Sequence, residues 1–428
     1  MHVWTRRTGL ALVALATPLL LDTCGKSGTA PVVPNTSVTV VAGNNQPGLI
    51  GYRVNVRPAV RVTDASSAPV PNAAVTFAVT AGGGSVTGGT ATTNAAGVAQ
   101  LGAWTLGASP GVNRLTATVA GGSPVTFTDT ALAAGYTVQV QYFGPTPSAA
   151  VRTAMDSAAA KWQRIIYRGL STVNLNVLAG LACSGVLNTP AVVQATTGLV
   201  ILATFDSIDG PGKILGQAGP CQIRNSNGLT VIGLMEFDTA DVATMSTNGT
   251  LNSVMLHEMG HVIGFGTLWN QSPNNCLQLP SDSANKVDTY FSCAQARAAF
   301  DSIGGTTYTG ASLSPPGGNK VPVENCGASS PGGCGAGTRN GHWREPVFGN
   351  ELMTGYINSG VNPLSVLSVA AQADLGYTVN LAAADAYVRT YTAPVAGGVA
   401  PLVLGDDIRQ GLITRVDALG RVVGAVGR

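Results

Sequence analysis

Leu251-Asn252-Ser253-Val254-Met255-Leu256-His257-Glu258-Met259-Gly260-His261-Val262-Ile263-Gly264 is the stretch on which the reading of this chain turns. Leu251, Met255, Met259 and Val262 recur at helical spacing and predict a core-facing stripe, with Gly264 placed to end the helix. At 3.6 residues per turn, His257 and His261 fall roughly 40° apart around the axis and about 6 Å along it, so both imidazoles reach one tetrahedral metal ion. Glu258 lies roughly 60° from His261, on the flank of that face. There its carboxylate is too far round to be a ligand but reaches a water on the metal.

Two imidazoles do not complete a catalytic zinc site, which takes three protein ligands and keeps a fourth position open. The extended form of the motif would put the third ligand six residues after His261, where this chain has Thr267. The chain holds four His in all. His2 lies in a segment that reads as a removable leader, so His342 is the third ligand by elimination. A structural zinc site of the Cys type would need close Cys-x-x-Cys pairs, and the sequence has none.

Working outward, 428 residues allow two or three domains with cores of their own. A net charge of +2 without runs of Lys or Arg gives no electrostatic footprint for nucleic acid. Only 10% of residues are charged, which suits exported β-rich modules. Arg6 and Arg7 precede an apolar run from Gly9 to Leu21, too short to span a bilayer comfortably but long enough for a signal-peptide core. Residues 1–24 therefore read as a signal peptide and 25–36 as a linker. Leu21-Asp22-Thr23-Cys24 resembles a bacterial lipoprotein cleavage site, which makes Cys24 a lipidation and membrane-anchoring candidate, with plain secretion as the alternative. Either outcome places the chain outside the cell or on the bacterial surface or outer membrane.

Setting Cys24 aside, the remaining Cys are Cys183, Cys221, Cys276, Cys293, Cys326 and Cys334, an even number as an oxidised exported domain should have. Six Cys permit fifteen connectivities. Pairing neighbours gives Cys183 with Cys221, Cys276 with Cys293 and Cys326 with Cys334.

Residues 37–133 carry short Val/Thr-rich runs, Val38 to Val41, Ala59 to Val62, Ala74 to Val79 and Asn113 to Val119, punctuated by Gly, Pro and Asn at sandwich-like spacing. Val62-Thr63-Asp64, Pro69-Val70-Pro71-Asn72-Ala73-Ala74-Val75-Thr76-Phe77 and Thr93-Asn94-Ala95-Ala96-Gly97-Val98-Ala99 resemble the invasin-type bacterial Ig-like domain. That resemblance implies a stalk or binding arm without chemistry of its own. The next segment, 134–390, offers strands at Tyr136 to Phe143, Val173 to Leu178, Leu199 to Phe205 and Leu229 to Phe237, with a helix from Ser148 to Ile166. The expected fold class is thus multidomain: an all-β Ig-like sandwich followed by an α/β (α+β) domain whose sheet lies against two helices. Residues 391–428, including Gly405-Asp406-Asp407, carry no motif and read as a tail without an assigned role.

His257-Glu258-x-x-His261-x-x-Gly264-Phe265, then His342-Trp343 and Glu351-Leu352-Met353-Thr354-Gly355, resemble the leishmanolysin family of metzincin zinc peptidases. In that family a large insertion, here 266–341, separates the turn glycine from the third His. The resemblance implies one catalytic Zn2+ on His257, His261 and His342, Glu258 as general base, and Met353 as the residue of a methionine turn under the metal. Tyr356 is similar to a tyrosine that stabilises the oxyanion in other metzincins, at a different spacing. The function expected is zinc-dependent endopeptidase action on proteins or peptides, through a zinc-activated water. The alternative is an inactive adhesin or binding scaffold; hydrolysis of a non-peptide amide is a third reading. Calcium is an open question, because Asp238 and Asp241 also read as loop or cap residues.

Overall fold

Alternating Val, Thr and Ala from residue 37 onward leave one apolar edge per strand, and burying that edge requires a second sheet facing the first. In the computed structural model, Ser37–Ala42, Ala59–Thr63 and Val98–Gln100 form one sheet. Pro47–Leu49, Val125–Leu132, Gly111–Val119, Ala74–Ala81 and Thr90–Thr92, in that order, form the other. Val60 and Val62 from the first meet Val75, Phe77, Leu115 and Phe127 from the second, around the fully buried Trp104. The residues described are 36–180, 183, 188–271, 273–282, 285, 287–307, 320–327, 337–358, 360–389, 402–409 and 411–426. The expected signal segment, Cys24 and Cys334 lie outside them. Among the described residues no helix is long and apolar enough to cross a membrane.

Asn55 ties the sandwich to the second domain, donating to the Val379 carbonyl at 2.8 Å and accepting from the Leu381 amide at 3.0 Å. That domain is built on six strands in the order Val138–Tyr142, Leu199–Asp206, Thr230–Asp238, Gly216–Arg224, Ile413–Val416 and Val422–Val426. The first three run parallel, and Gly216–Arg224 is antiparallel to Thr230–Asp238. The pairing of Gly216–Arg224 shifts register around Pro220, a residue without an amide hydrogen that a continuous ladder would exclude. That Gly- and Pro-broken strand is one sequence periodicity does not reveal. The two outer strands come from the tail, the first pairing parallel with Gln222 to Arg224.

Helices Ala149–Ile165 and Leu251–Ile263 pack together on this sheet. The Ser148 hydroxyl caps the first, accepting from the Val151 amide at 3.4 Å. Val151, Met155, Ala158, Trp162 and Ile165, spaced for one face, are all buried. Trp162 donates its indole N–H to the Leu256 carbonyl at 3.0 Å, which fixes the second helix against the first. Gly233 lets that helix lie close, since a Cβ there would stand 2.3 Å from Cγ1 of Val262. Met255, Met259 and Val262 are fully buried beneath it, each side chain worth about 1.5–3 kcal/mol of burial. The helix is held by its floor, and its opposite face is buried as well.

Candidate metal centre

That opposite face carries His257 and His261, and the segment after residue 337 brings His342 to them. Each Nδ1–H donates to a backbone carbonyl: His257 to Leu352 at 2.7 Å, His261 to Phe265 at 2.9 Å, His342 to Thr338 at 2.9 Å. A proton held on Nδ1 leaves Nε2 as a bare lone pair. The three Nε2 atoms stand 2.9, 2.9 and 3.1 Å apart. Three neutral lone pairs at that separation repel unless something positive lies between them.

A fourth group joins them. Oδ2 of Asp407 lies 3.1 Å from Nε2 of His257, 3.6 Å from that of His261 and 3.0 Å from that of His342. Ligands about 2.0–2.1 Å from a tetrahedral centre stand about 3.3 Å from one another, close to the spacings seen here. The donor set and its convergence therefore fit a metal ion, and three imidazoles with one carboxylate suit a borderline transition-metal cation. All four residues are buried.

Burial lowers the pKa of both motif histidines, that of His261 to about 3, with Asp407 opposing the effect and the neighbouring imidazoles adding to it. For His342 burial acts the same way, but the Asp407 charge outweighs it and the shift is upward. Asp407 in turn is held well below the usual carboxylate range, because His342 and the other two imidazoles overcome its burial. A divalent cation would serve all four groups together.

Glu258 is fully buried, and neither carboxylate oxygen has a hydrogen-bond partner. Burial first, and the charge of Asp407 second, push its carboxyl well above the ordinary range. A buried carboxylate left without partners is costly for folding, and such groups concentrate at sites that perform chemistry.

The walls of the centre come from two turns. Gly264 closes the helix with φ 135°, after which the Thr267 hydroxyl caps the His261 carbonyl at 2.8 Å. Thr267, at the position where the extended motif has its ligand, thus finishes the helix. Met353 lies beneath: a Cβ on Gly260 would stand 2.9 Å from its Cε and 3.2 Å from its Sδ. Glu351 holds the turn, accepting from the Met353 amide at 2.6 Å, the Ser365 amide at 3.0 Å, and the hydroxyls of Ser365 and Ser368 at 2.7 and 2.6 Å.

Tyr356 is fully buried, and burial, with the charges of Glu324 and Glu345 behind it, pushes its hydroxyl well up from its ordinary value. Asp238 caps the helix Thr239–Asn248 through Ala240 and accepts three further amides, from Ile208, Asp209 and Gly210, while Asp241 accepts from Gly212. Both behave as loop and cap residues. Disulfides join Cys183 to Cys221 and Cys276 to Cys293. Cys326 is disulfide-bonded too, while Cys334 lies outside the described residues.

Asp407 is the member that sequence reasoning misses. Its local signal is an acidic pair after a glycine, which reads as a turn and no more. Asp406 adopts φ 54°, a left-handed conformation that Asp tolerates, with its own Oδ1 taken by the Gly337 amide at 2.8 Å. That turn leaves the next side chain directed at the histidines.

No family model and no curated protein matches this chain. Among solved structures, the D00-D0 domain of intimin is 17% identical with a TM-score of 0.17, over 22% of this chain and 46% of that one. The D0-D1 domain of intimin is 18% identical with a TM-score of 0.17, over 25% of this chain and 57% of that one. The ZirS C-terminal domain is 14% identical with a TM-score of 0.18, over 30% of this chain and 87% of that one. The chain spans about half the length of the two intimin structures. At these TM-scores the matches carry no argument, and the two-sheet description of the N-terminal domain stands on its own strand pairing.

Proposed function

We propose that the second domain is a zinc-dependent endopeptidase of the leishmanolysin-like type, exported and carried behind an invasin-type Ig-like spacer. The observation that carries this reading is the convergence of three Nε2 lone pairs beside a buried carboxylate, Glu258, that nothing else uses. His257, His261 and His342 would hold the ion, their tautomers set by the Leu352, Phe265 and Thr338 carbonyls. When bound, zinc would supply Lewis-acid polarisation of the scissile carbonyl and acidify water at neutral pH. Glu258 takes the proton of the attacking water and hands it to the leaving amine. The apolar packing beneath, with Met353 against Gly260, keeps the histidine pair rigid. Substrates would be proteins or peptides, and lipidation at Cys24 would hold the enzyme to a membrane.

Asp407 favours a second reading, a closed metal site in a binding scaffold, because it completes four ligands as structural zinc sites do. Cleavage of unfolded casein, with and without chelator, separates the two. Glu258→Gln should retain one equivalent of zinc and lose casein cleavage by at least about 100-fold, within the usual range for a general base. Full activity in that variant removes the peptidase reading.

A further inference from the structure

The segment that delivers Asp407 lies across the metal centre, turning at Gly405 and Asp406, and is tied down on both sides. On one side the Leu404 amide donates to the Gly355 carbonyl at 2.9 Å, and the Leu404 carbonyl accepts the Thr338 hydroxyl at 2.7 Å. On the other, the Asp407 carbonyl accepts the Ala218 amide at 2.8 Å, and the Arg409 amide donates to the Ala218 carbonyl at 2.9 Å. Gln217 adds a bond from its side-chain amide to the Asp406 carbonyl at 2.9 Å. Ala218 and Ile408 form a single parallel bridge, so the first half of Gly216–Arg224 offers an outer edge that only this segment fills among the described residues.

An exposed strand edge recognises an extended chain through main-chain bonds that any sequence can make, with side-chain pockets adding preference. Ile408, the residue after the metal-facing Asp, packs against Gly341, where a Cβ would stand 2.2 Å from its Cδ1. It borders a cavity of about 180 Å³ lined also by Gly266, Thr267, Leu277 and Asn340. The product of amide hydrolysis at this centre is a carboxylate, and the Asp407 side chain presents a carboxylate in the place where that product forms.

We propose that residues 407–409 occupy part of the track of the substrate peptide and that Asp407 closes the metal position catalysis needs, making the C-terminal segment an inhibitor in cis. This rests on the peptidase reading and deepens it. The substrate is an extended peptide that adds to the edge at Gln217 and Ala218 and carries an aliphatic side chain where Ile408 now sits. A tethered competitor acts at millimolar effective concentration, so free substrate binds weakly until the segment leaves. The pair between Arg409 and Glu236 fastens its far end.

The test uses the full-length protein loaded with Co2+ and titrated with acetohydroxamate, read by the visible absorption of the metal, alongside zinc-loaded cleavage of unfolded casein. Asp407→Asn keeps the side chain's shape, and Asp407→Ala serves as a second variant. The proposal expects both to keep the metal, to bind hydroxamate at least about 10-fold more tightly than the wild type, and to cleave casein faster. Equal hydroxamate affinity in wild type and both variants overturns it, since the segment then blocks nothing. Loss of the metal from both variants also overturns it, because Asp407 is then a permanent ligand of a closed site. Tighter hydroxamate binding with no cleavage in any variant upholds the occupied metal position and removes the peptidase reading instead.

Discussion

The Nδ1–H of His257 donates to the Leu352 carbonyl at 2.7 Å, joining the motif helix to a turn far along the chain. The acceptor is held by Glu351, whose buried carboxylate gathers two amides and two hydroxyls. Glu351 is therefore a positioning residue for His257. Glu351→Gln should weaken zinc binding by about 10-fold, the lower end for partners behind a metal-ligating His. The check is a competition titration against a chromophoric chelator at a fixed pH; an unchanged zinc affinity would show that Leu352 is positioned by packing alone.

His342 contributes through a different part of the chain, its Nδ1 on the Thr338 carbonyl and its Nε2 within 3.0 Å of Asp407. Removing a direct ligand should cost more than removing a supporting carboxylate. His342→Ala is expected to lose more than about 100-fold in zinc affinity, beyond the range typical of outer-shell partners. Metal content after dialysis reports this, and a full equivalent of tightly held zinc in the variant would place the third ligand elsewhere.

The Cys276–Cys293 disulfide closes a loop whose ends are 17 residues apart in sequence. At the start of that loop the Cys276 amide donates to the carbonyl of the preceding Trp269 at 2.7 Å, and Trp269 packs against Trp343, the neighbour of His342. Replacing both Cys by Ala should lower stability by about 3 kcal/mol through the entropy of the unfolded chain. Urea unfolding measures it. Zinc affinity should fall less than in His342→Ala, because the buried aromatic cluster of Phe265, Trp269, Phe291 and Trp343 remains.

Asp129 should give the N-terminal two-sheet domain a pH dependence. It is buried, with Oδ1 accepting from the Gln46 amide at 3.1 Å and Oδ2 without a partner. Burial raises its carboxyl from 3.8 to about 6, against the pull of the Gln46 hydrogen bonds. A folded value above the unfolded one means the contribution is fully present below about 3.8 and is lost as the pH rises through about 6. Amide exchange at Leu115 and Phe127 should thus report weaker protection at pH 7 than at pH 4 after correction for intrinsic rates. Asp129→Asn should flatten that difference, and an unaltered profile in the variant would assign it to another group.

Much of the architecture was legible because it is local. Val60, Val62, Val75 and Phe77 announce a sandwich by alternation, and Val151, Met155, Ala158 and Trp162 announce a helix by their spacing. The strand Gly216–Arg224 escaped because its glycines and Pro220 break the alternation, while its partners on both sides supply the pairing.

The sequence by itself determined that His257, Glu258 and His261 share one helical turn, since α-helical geometry carries that relationship wherever the helix goes. It pointed to His342 through the scarcity of histidine. Asp407 was decided by tertiary structure alone. Nothing within its own neighbourhood distinguishes it from an ordinary turn aspartate; the pairing of Ile413–Val416 with Gly216–Arg224, the bonds to Ala218 and the left-handed Asp406 bring it to the histidines. Long-range backbone pairing leaves no periodic trace around the residue it delivers, and so the group that closes this centre becomes visible only in the folded chain.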